Sequence, residues 1–361
     1  MSSVHAPPRI GSLWQQRMQS VHEYEVVRDG NIFGSSLSNN IVFASEYHEA
    51  RRQMASLLAR YEGVSFDSAF TGREISNEGG ICYACESQLD LSRPLIDIDR
   101  FRKKILTDLT LVKGIGAATE KKLNARGFAT LADLLAHPKF REGTRDVLDC
   151  ISGASTLEIM ECIGRRHAKS DTSILGAACM HEPEDFVFLD IETLGLFSRP
   201  IILFGVGTVE GHGLCVRQYL LRDISEELPA LMATVEHLSR DNPALVTFNG
   251  KSFDLPYITD RLAYYGMASP GRIPHFDALH FSRRRWKATL PTLRLTALER
   301  EILGIRREDD IPGQMVPEFY AEYIRTGNIG PLVPIVEHNR QDVHSLALLF
   351  FHLLEESYGC S

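Results

Sequence analysis

Acidic residues inside apolar, strand-like segments constrain this chain more than any other feature. Asp190 and Glu192 stand in the run FVFLDIETLGL, Asp254 follows the run LVTFNGKSF, and Asp342 lies in EHNRQDVHSLALL. Burying a carboxylate costs free energy unless a partner compensates its charge. A divalent cation held by several of these groups is a partner that suits all four.

The spacing of these residues predicts that they share one site. Asp190 and Glu192 are two apart on a strand, so both project to the same face. Asp254 follows a strand and a loop, at the kind of strand end where α/β sheets bind ligands. Asp342 follows His338 by four residues, which places both on one face of the last predicted helix.

Carboxylate ligands favour Mg²⁺ or Mn²⁺, which prefer oxygen donors. Two such ions about 3.5–4 Å apart stabilise both the attacking and the leaving oxygen at phosphorus. A histidine, whose ordinary pKa is about 6.5, suits a general base. The sequence therefore predicts a two-metal nuclease with these metal ligands and catalytic residues: Asp190, Glu192, Asp254 and Asp342 as ligands, and His338 as the base.

Other interpretations stay open from the residues alone. Each acid taken singly suits a surface group or a helix cap equally well. A catalytically inert nucleic-acid-binding adaptor could keep the same fold, and a structure-specific endonuclease could use the same metal chemistry. The joint order of the acidic motifs favours an enzyme.

Residues 180–361 alternate between apolar β-branched runs and helical patterns. FVFLDIET and IILFGVGTV read as strands, and residues 225–239, 254–265 and 333–355 read as helices. Strands in a meander followed by strand–helix alternation predict an α/β fold with a mixed sheet flanked by helices.

The rest of the chain predicts two further regions. Residues 1–100 read as a small α+β region with a helix at 46–61, and no motif gives it a role. Residues 101–172 read as short helices, and residues 101–170 contain 13 Lys and Arg against 8 Asp and Glu, although the whole chain carries a net charge of −8. Residues 170–173 suit a linker. A basic region of this kind predicts nucleic acid as the partner.

The basic region contains the segment LVKGIGAATEKKL. Gly114 and Gly116 permit a tight backbone that leaves amide groups exposed at the start of a helix, where phosphate binds favourably. Lys113, Lys121 and Lys122 add positive charge. Such contacts grip the backbone without reading bases. An ordinary packing hairpin is the alternative.

The acidic motifs resemble those of two groups of nucleases. The order D-x-E, N-G-x-x-F-D and a late D resembles the DEDD group of 3′–5′ exonucleases, which have a ribonuclease H-like fold. FLDIETLG, FNGKSFDLPYI, EREILGI with DDIPG, and EHNRQDVHSLA resemble the YprB-type family of predicted exonucleases across residues 186–354. That resemblance implies metal ligation by the four acids and processing of a nucleic-acid end or single strand, DNA or RNA.

The segment at residues 106–135 resembles the helix-hairpin-helix module. The resemblance implies binding of nucleic-acid backbone by these residues: Lys113, Gly114, Ile115 and Gly116. In the DEDD group a Tyr stands four residues before the last Asp, or a His five before it. Here Glu337 is five before, and His338 takes the tyrosine-type position.

Further contacts with substrate or water are predicted by analogy with the DEDD exonucleases. Thr193 and Leu194 would touch the terminal nucleotide, with loop packing as the alternative. Asn249 and Asn339 would orient water or substrate, unless they are turn or cap residues. Asp277 is predicted either to cap a helix or to support a metal ligand without binding the metal itself.

The RRRW cluster at residues 283–286 could follow phosphates, with Trp286 stacked on a base, or it could be a solvated helix face.

Cysteine usage and hydropathy predict where in the cell the protein is located. Seven cysteines, mostly scattered singly, are typical of reduced thiols in the cytoplasm rather than a disulfide framework. Cys82 and Cys85 form a lone C-x-x-C, which offers only two of the four ligands of a structural zinc site. No apolar run is long enough for a membrane span, and the first residues lack a secretory apolar segment. The expectation is a cytoplasmic protein without a membrane partner.

Overall fold

The structure is a computed structural model that describes residues 44–152, 155–195, 199–307 and 310–360. The chain forms two compact units, residues 1–49 and 50–361. Of the first unit, only residues 44–49 lie within the described ranges, at the start of helix α1 (Ala44–Arg60). The sequence predicted this helix at residues 46–61.

The described part of the second unit is built on one mixed sheet of seven strands. In chain order they are β1 (Gly72–Asn77), β2 (Gly80–Asp90), β3 (Phe186–Thr193), β4 (Ile201–Glu210), β5 (Gly213–Leu220), β6 (Ala244–Thr247) and β7 (His275–Asp277). Their order across the sheet is β1-β2-β5-β4-β3-β6-β7. The first four neighbouring pairs are antiparallel, whereas β3, β6 and β7 are parallel. The predicted mixed α/β sheet is confirmed.

Helices surround this sheet. Those of the described residues are α1 and α2 (Phe66–Ala69), α3 (Ile98–Thr107), α4 (Ala117–Asn124), α5 (Leu131–Leu134), α6 (Arg141–Ser152), α7 (Thr156–Gly164), α8 (Thr172–Gly176), α9 (Glu227–Leu238), α10 (Asp254–Tyr264), α11 (Ala278–Trp286), α12 (Leu295–Leu298), α13 (Val316–Thr326) and α14 (Leu332–Tyr358). A π-helical turn, Glu299–Leu303, follows α12 directly. None of these helices combines the length and the apolar composition that a bilayer span requires.

Strand β3 shows why the sheet is covered on both faces. Its side chains alternate, because successive residues of a strand point to opposite sides. One set, Val187, Leu189 and Ile191, packs with residues of α9 and α10. The other set begins with Phe186 and Phe188, which pack against Phe350 of α14. Asp190 and Glu192 continue this second set, so α14 covers the acidic positions.

The N-terminal strands belong to the same sheet. β2 pairs antiparallel with β5, from Tyr83 opposite Leu220 to Asp90 opposite Gly213. The sequence predicted residues 1–100 as a separate region, but residue 100 separates no compact units, because residues 50–361 form one. Strand pairing depends on partners far away in the chain, which the local pattern does not show.

The helical region of residues 98–178 also joins this unit. The ring of Phe101 meets that of Tyr358 of α14 edge to face, with centroids 5.9 Å apart. The Tyr358 hydroxyl donates to the carbonyl oxygen of Thr172 at 2.7 Å. The prediction of a linker at residues 170–173 is wrong, because Asp171 caps α8 there.

A buried ion pair connects the two helices on the other face of the sheet. Glu227 of α9 accepts two hydrogen bonds from the guanidinium of Arg261 of α10, at 2.7 and 2.5 Å. Glu227 also accepts from the backbone N–H of Ile201 at 2.9 Å and from the Tyr265 hydroxyl at 2.8 Å. The carboxylate therefore links α9, α10 and the start of β4.

Removing this carboxylate should destabilise the fold strongly. Glu227→Ala leaves the Arg261 guanidinium buried without its counter-charge, and breaking a buried pair in this way costs about 3–5 kcal/mol. We expect a loss of that size in the free energy of unfolding, measured by urea denaturation. Arg325→Ala is the matched control. Arg325 pairs with Glu322 at the surface, and the change should cost less than about 1 kcal/mol. Equal losses in the two variants would contradict the structural role of Glu227.

Candidate active site

Two carboxylates lie at the centre of the sheet. Asp190 stands opposite Gly205 of β4, and Glu192 stands opposite Leu203. Glu192 is only 9% exposed. As predicted, both residues are on one strand at a spacing of two, on the face that α14 covers.

Asp254 contacts the same strand, β3, from the start of a helix. It is the first residue of α10 and is only 4% exposed. Its Oδ1 accepts a hydrogen bond of 3.2 Å from the backbone N–H of Ile191, the residue between Asp190 and Glu192. This contact fixes the Asp254 carboxylate against β3.

Asn339 of α14 holds Asp190 in place. Its Nδ2 donates to Asp190 Oδ2 at 2.8 Å and to the Asp190 carbonyl oxygen at 3.2 Å. Its Oδ1 accepts from Gln218 Nε2 at 2.9 Å. Asn339 is fully buried. It is neither a cap nor a turn residue, and its amide orients a carboxylate rather than a water.

Two glycines of β4 let α14 lie this close to the sheet. A Cβ at Gly205 would stand 2.2 Å from Asn339 Oδ1, and a Cβ at Gly207 would stand 2.7 Å from Val343 Cγ1. Asn339 and Val343 are one helical turn apart. The FGVG sequence within β4 therefore carried a signal for close helix packing, which the sequence reasoning took only as part of a strand.

His338 and Asp342 complete the group from α14. The Nε2 atom of His338 lies 3.9 Å from Glu192 Oε1 and 3.8 Å from Asp342 Oδ2. Both carboxylates are thus within 4 Å of one nitrogen. The structure brings together all five residues for which the sequence predicted a catalytic role.

Uncompensated negative charge dominates the site. Burial raises the pKa of Asp190, and the charges of Asp342, Glu192 and Asp254 raise it further. Burial likewise raises the pKa of Glu192 to about 8 and that of Asp254 to about 7. These shifts have the sign expected when several carboxylates share a site of low polarity.

Burial opposes a charge on His338, but the surrounding carboxylates outweigh it. Asp342, Asp310 and Glu192 together raise the pKa of His338 to about 10. The Nδ1 atom lies 2.6 Å from Asp310 Oδ1. This contact leaves Nε2 turned towards Glu192 and Asp342.

Arg307, Glu299 and Asp310 border the site, and the sequence reasoning gave none of them a role. The Arg307 guanidinium contacts Asp342 Oδ1 and donates to both Glu299 oxygens, at 2.6 and 2.7 Å. It also lies 3.3 Å from Asp310 Oδ2. Arg307 belongs to the charged, aperiodic run IRREDD, which offered no signal for burial.

The donor set fits a hard divalent cation by its chemistry. Carboxylate oxygens are the ligands that Mg²⁺ and Mn²⁺ prefer, and buried carboxylates with raised pKa values would be stabilised by a cation. In the part of the chain that the structure describes, no three His, Cys, Asp or Glu side chains already stand in an arrangement that could hold an ion. One oxygen of Asp342 is engaged by Arg307, while the other faces His338.

The residues predicted to touch a terminal nucleotide have internal contacts. The Thr193 hydroxyl donates to the Gly195 carbonyl oxygen at 2.9 Å. The Leu194 side chain is 9% exposed, and its backbone N–H donates to Pro200. Asn249 adopts a left-handed backbone with φ 67. Their nucleotide contacts stay predictions.

The predicted hairpin presents three of its four residues at the surface. Lys113, Gly114 and Gly116 are exposed, and Gly114 has φ 90. Ile115 is fully buried, and its N–H donates to the Val112 carbonyl oxygen at 3.1 Å. The structure therefore places the Ile115 side chain in the core rather than at a binding surface.

Trp286 cannot stack on a base, so that hypothesis is wrong. Its side chain is 6% exposed and lies stacked against His352, with ring centroids 6.2 Å apart. The prediction of a helix cap at Asp277 is confirmed, because it caps α11 and accepts from the backbone N–H of Leu279 at 3.2 Å.

The C-x-x-C pair is buried in β2. Burial raises the pKa of Cys82 to about 12 and that of Cys85 to about 11. Within the described ranges no group of potential ligands around them could hold zinc.

Comparisons with known proteins agree with this fold. Residues 187–354 match the RNase_H_2 family model, described as RNase_H superfamily. The described sheet and its flanking helices in this range are ribonuclease H-like. The uncharacterized protein YprB of Bacillus subtilis (strain 168) is 34% identical over 189 residues, which are 50% of this chain and 45% of that protein. The chain thus covers less than half the length of this relative.

Among solved structures, the family B DNA polymerase of the hyperthermophilic archaeon Pyrobaculum calidifontis is similar, with a TM-score of 0.38 and 16% identity. The similarity covers 48% of this chain and 24% of the polymerase.

Adding one methyl group to β4 should disturb the site. In Gly205→Ala the new Cβ would overlap the Asn339 side chain, so this side chain or α14 itself must shift away from Asp190. Overpacking of this kind costs about 1–3 kcal/mol, and we expect a matching loss in the free energy of unfolding and a smaller Mn²⁺-dependent rise in Tm. Gly271→Ala is the control, because a Cβ there meets nothing within 4 Å. An unchanged Mn²⁺ response in Gly205→Ala would contradict the role of this contact.

Proposed function

We propose that this chain is a metal-dependent 3′–5′ exonuclease that hydrolyses phosphodiester bonds of DNA or RNA. One observation carries the proposal: carboxylates of β3 and α14, from Glu192 and Asp342, lie within 4 Å of one imidazole nitrogen, and Asp254 of α10 is hydrogen-bonded to the same strand β3. A ribonuclease H-like fold in residues 187–354 supports a nuclease reaction in general. Direction and substrate are inferred from the motif order.

Asp190, Glu192, Asp254 and Asp342 would hold two ions, Mg²⁺ or Mn²⁺. When bound, such ions supply a water of lowered pKa and neutralise charge at the reacting phosphate. The residues around the ligands fix their orientation. Asn339 holds the Asp190 carboxylate, and the backbone of Ile191 holds that of Asp254. Because these positions are set before ligand binding, little reorganisation is needed at the site.

His338 is the residue placed to take a proton from an attacking water. Asp310 contacts Nδ1 and so fixes the ring, which leaves Nε2 directed at the carboxylate site. A carboxylate behind an imidazole orients general bases in other hydrolases. Because the uncompensated carboxylates raise the pKa of His338 to about 10, the ring would act as a base only after bound cations neutralise these carboxylates and lower its pKa again.

The exposed hairpin supports a nucleic-acid substrate. Gly114 and Gly116 lie at the surface beside Lys113, and Lys121 and Lys122 are exposed on α4. We propose that this surface binds the backbone of the same strand whose end enters the site, without selecting a sequence. A single-stranded end of DNA or RNA is the substrate that we expect.

Loss of one metal ligand should abolish cleavage. Asp190→Asn and Asp254→Asn each keep the side-chain shape and remove a negative oxygen, so we expect no measurable degradation of 5′-labelled single-stranded DNA or RNA with Mg²⁺ or Mn²⁺. Asp260→Asn is the control, since Asp260 is exposed on the same helix as Asp254 and should cleave like the wild type. EDTA should stop the wild-type reaction.

The product pattern tests the rest of the proposal. A ladder that shortens stepwise from the 3′ end fits the proposed reaction. Internal fragments would instead identify an endonuclease. A wild-type protein that binds these substrates and cleaves none, with either ion, would be an inert adaptor.

His338→Asn should lower kcat by about 10²–10⁴-fold, the contribution typical of a general base. Asp310→Asn should cause a smaller fall, because it loosens the ring without removing it. The Mn²⁺-dependent rise in Tm should persist in both variants. Wild-type kcat in His338→Asn would exclude it as the base.

A further inference from the structure

A group of cations lies next to the acidic site and has no part in the proposed chemistry. Lys251 precedes Asp254 by three residues, in the loop between β6 and α10. Lys169 comes from the end of the helical region, and His280 and Arg283 belong to α11. Lys251 and His280 each interact electrostatically with Lys169, and His280 also interacts with Arg283 and Lys251. We call Lys251, Lys169 and Arg283 the cationic cluster; His280 is not counted as a cation, because burial lowers its pKa.

Asp277 fixes the backbone of the loop that carries Lys251. It is fully buried, and its carboxylate accepts from the N–H of Asn249 at 2.9 Å and from the N–H of Lys251 at 3.1 Å. The left-handed Asn249 turns the chain, and a Cβ at Gly250 would meet Thr247 at 2.4 Å. The loop therefore has one defined course, and Lys251 starts from a fixed position.

Asp277 is the carboxylate that acts on this cluster: it lies 4.0 Å from His280 Nε2 and interacts electrostatically with Lys251. Within the described residues, no hydrogen bond or ion pair engages the side chains of Lys251, Lys169 or Arg283. The next two residues of α11 differ, because Arg284 pairs with Asp171 and Arg285 with Glu356.

Among these cations, the absence of a hydrogen-bond or ion-pair partner for the side chain matters most for Lys251. Its side chain is half-buried, and burial lowers its pKa although Asp277 opposes the change. Asp277 already accepts hydrogen bonds from two backbone N–H groups, which disperse its negative charge. Since a desolvated ammonium without a counter-ion costs free energy, an anion bound here would stabilise the site.

The place of the cluster in the fold suggests which anion. It lies where the parallel strands β6 and β7 end, the edge at which α/β sheets bind ligands. Asp254 begins the helix that follows this loop, and the charge of Asp277 acts on Asp254 as well as on Lys251. Lys251 lies three residues before Asp254, in the loop that leads into α10, so this loop joins the cluster to the acidic site.

We propose that Lys251, with Lys169, binds one backbone phosphate of the strand whose end lies in the carboxylate site. The inference rests on the proposed function, since it takes a nucleic-acid strand as the ligand. Ion pairing with a phosphate carries no sequence information, so the contact sets the position of the strand. The substrate must then extend beyond the nucleotide being removed, which makes an oligonucleotide rather than a free nucleotide the ligand.

Binding in EDTA tests this site without any cleavage. The probe is a fluorescent single-stranded oligonucleotide, followed by anisotropy over a range of salt concentrations. Lys251→Met keeps much of the side-chain length and removes the charge, and it should bind about tenfold more weakly, as for a lost charged hydrogen bond. The slope of log K against log salt should become shallower by about 0.7, the value for one phosphate of a single strand.

Two further variants serve as controls. Lys287→Met makes the same chemical change at an exposed lysine just after α11, and it should bind like the wild type. Lys251→Arg keeps the charge and should recover most of the affinity. Equal affinity of Lys251→Met and the wild type, with thermal unfolding unchanged, would overturn the proposal.

A second measurement locates the phosphate. In a series of oligonucleotides, one phosphate at a time is replaced by an uncharged methylphosphonate. The wild type should lose affinity at one position near the 3′ end, and Lys251→Met should show no loss at that position. The same profile in both proteins would overturn the proposal. A position-specific loss in a protein that cleaves nothing would support this site while contradicting the proposed exonuclease.

Discussion

The close approach of α14 to the middle of the sheet is the contact on which the site depends. Asn339 reaches Asp190 because β4 has a glycine opposite that residue, where any side chain would collide with the amide. The same helix carries His338 and Asp342, one turn apart. If α14 lay farther from the sheet, these two residues could not face Glu192 of β3. The glycines of β4 thus have a chemical consequence, because they set the distance between two halves of the candidate site.

The site holds more negative charge than the surrounding protein compensates. Asp190, Glu192 and Asp254 are held by neutral donors or by burial, and their pKa values are raised. Arg307 compensates charge only at the edge, where it contacts Asp342 and Glu299. Such an arrangement is costly for a protein that needs only stability, because buried charges without partners are unfavourable. It is understandable if the site gains its missing charge from bound cations.

Opposite charges are separated over a short distance at this end of the sheet. Asp277 interacts with both groups: besides burial, its charge raises the pKa of Asp254, and its carboxylate accepts a hydrogen bond from the backbone N–H of Lys251. A nucleic-acid strand suits this arrangement, because its reacting phosphate would meet cations held by the acids and its next phosphates would meet protein cations. Specificity for a strand can therefore arise without any contact to a base.

The sequence by itself determined the parts that depend on local periodicity. The apolar run FVFLDIET predicted β3, the spacing of two placed Asp190 and Glu192 on one face of it, and the spacing of four placed His338 and Asp342 on one face of α14. Only the tertiary structure decided which distant segments meet. It joined residues 72–90 to the sheet, buried Trp286 and Ile115, and brought Arg307, Asp310 and Asn339 to the acids. The physical reason is that a repeat of two or 3.6 residues is written in neighbouring side chains, whereas pairing and burial depend on partners that lie far away along the chain.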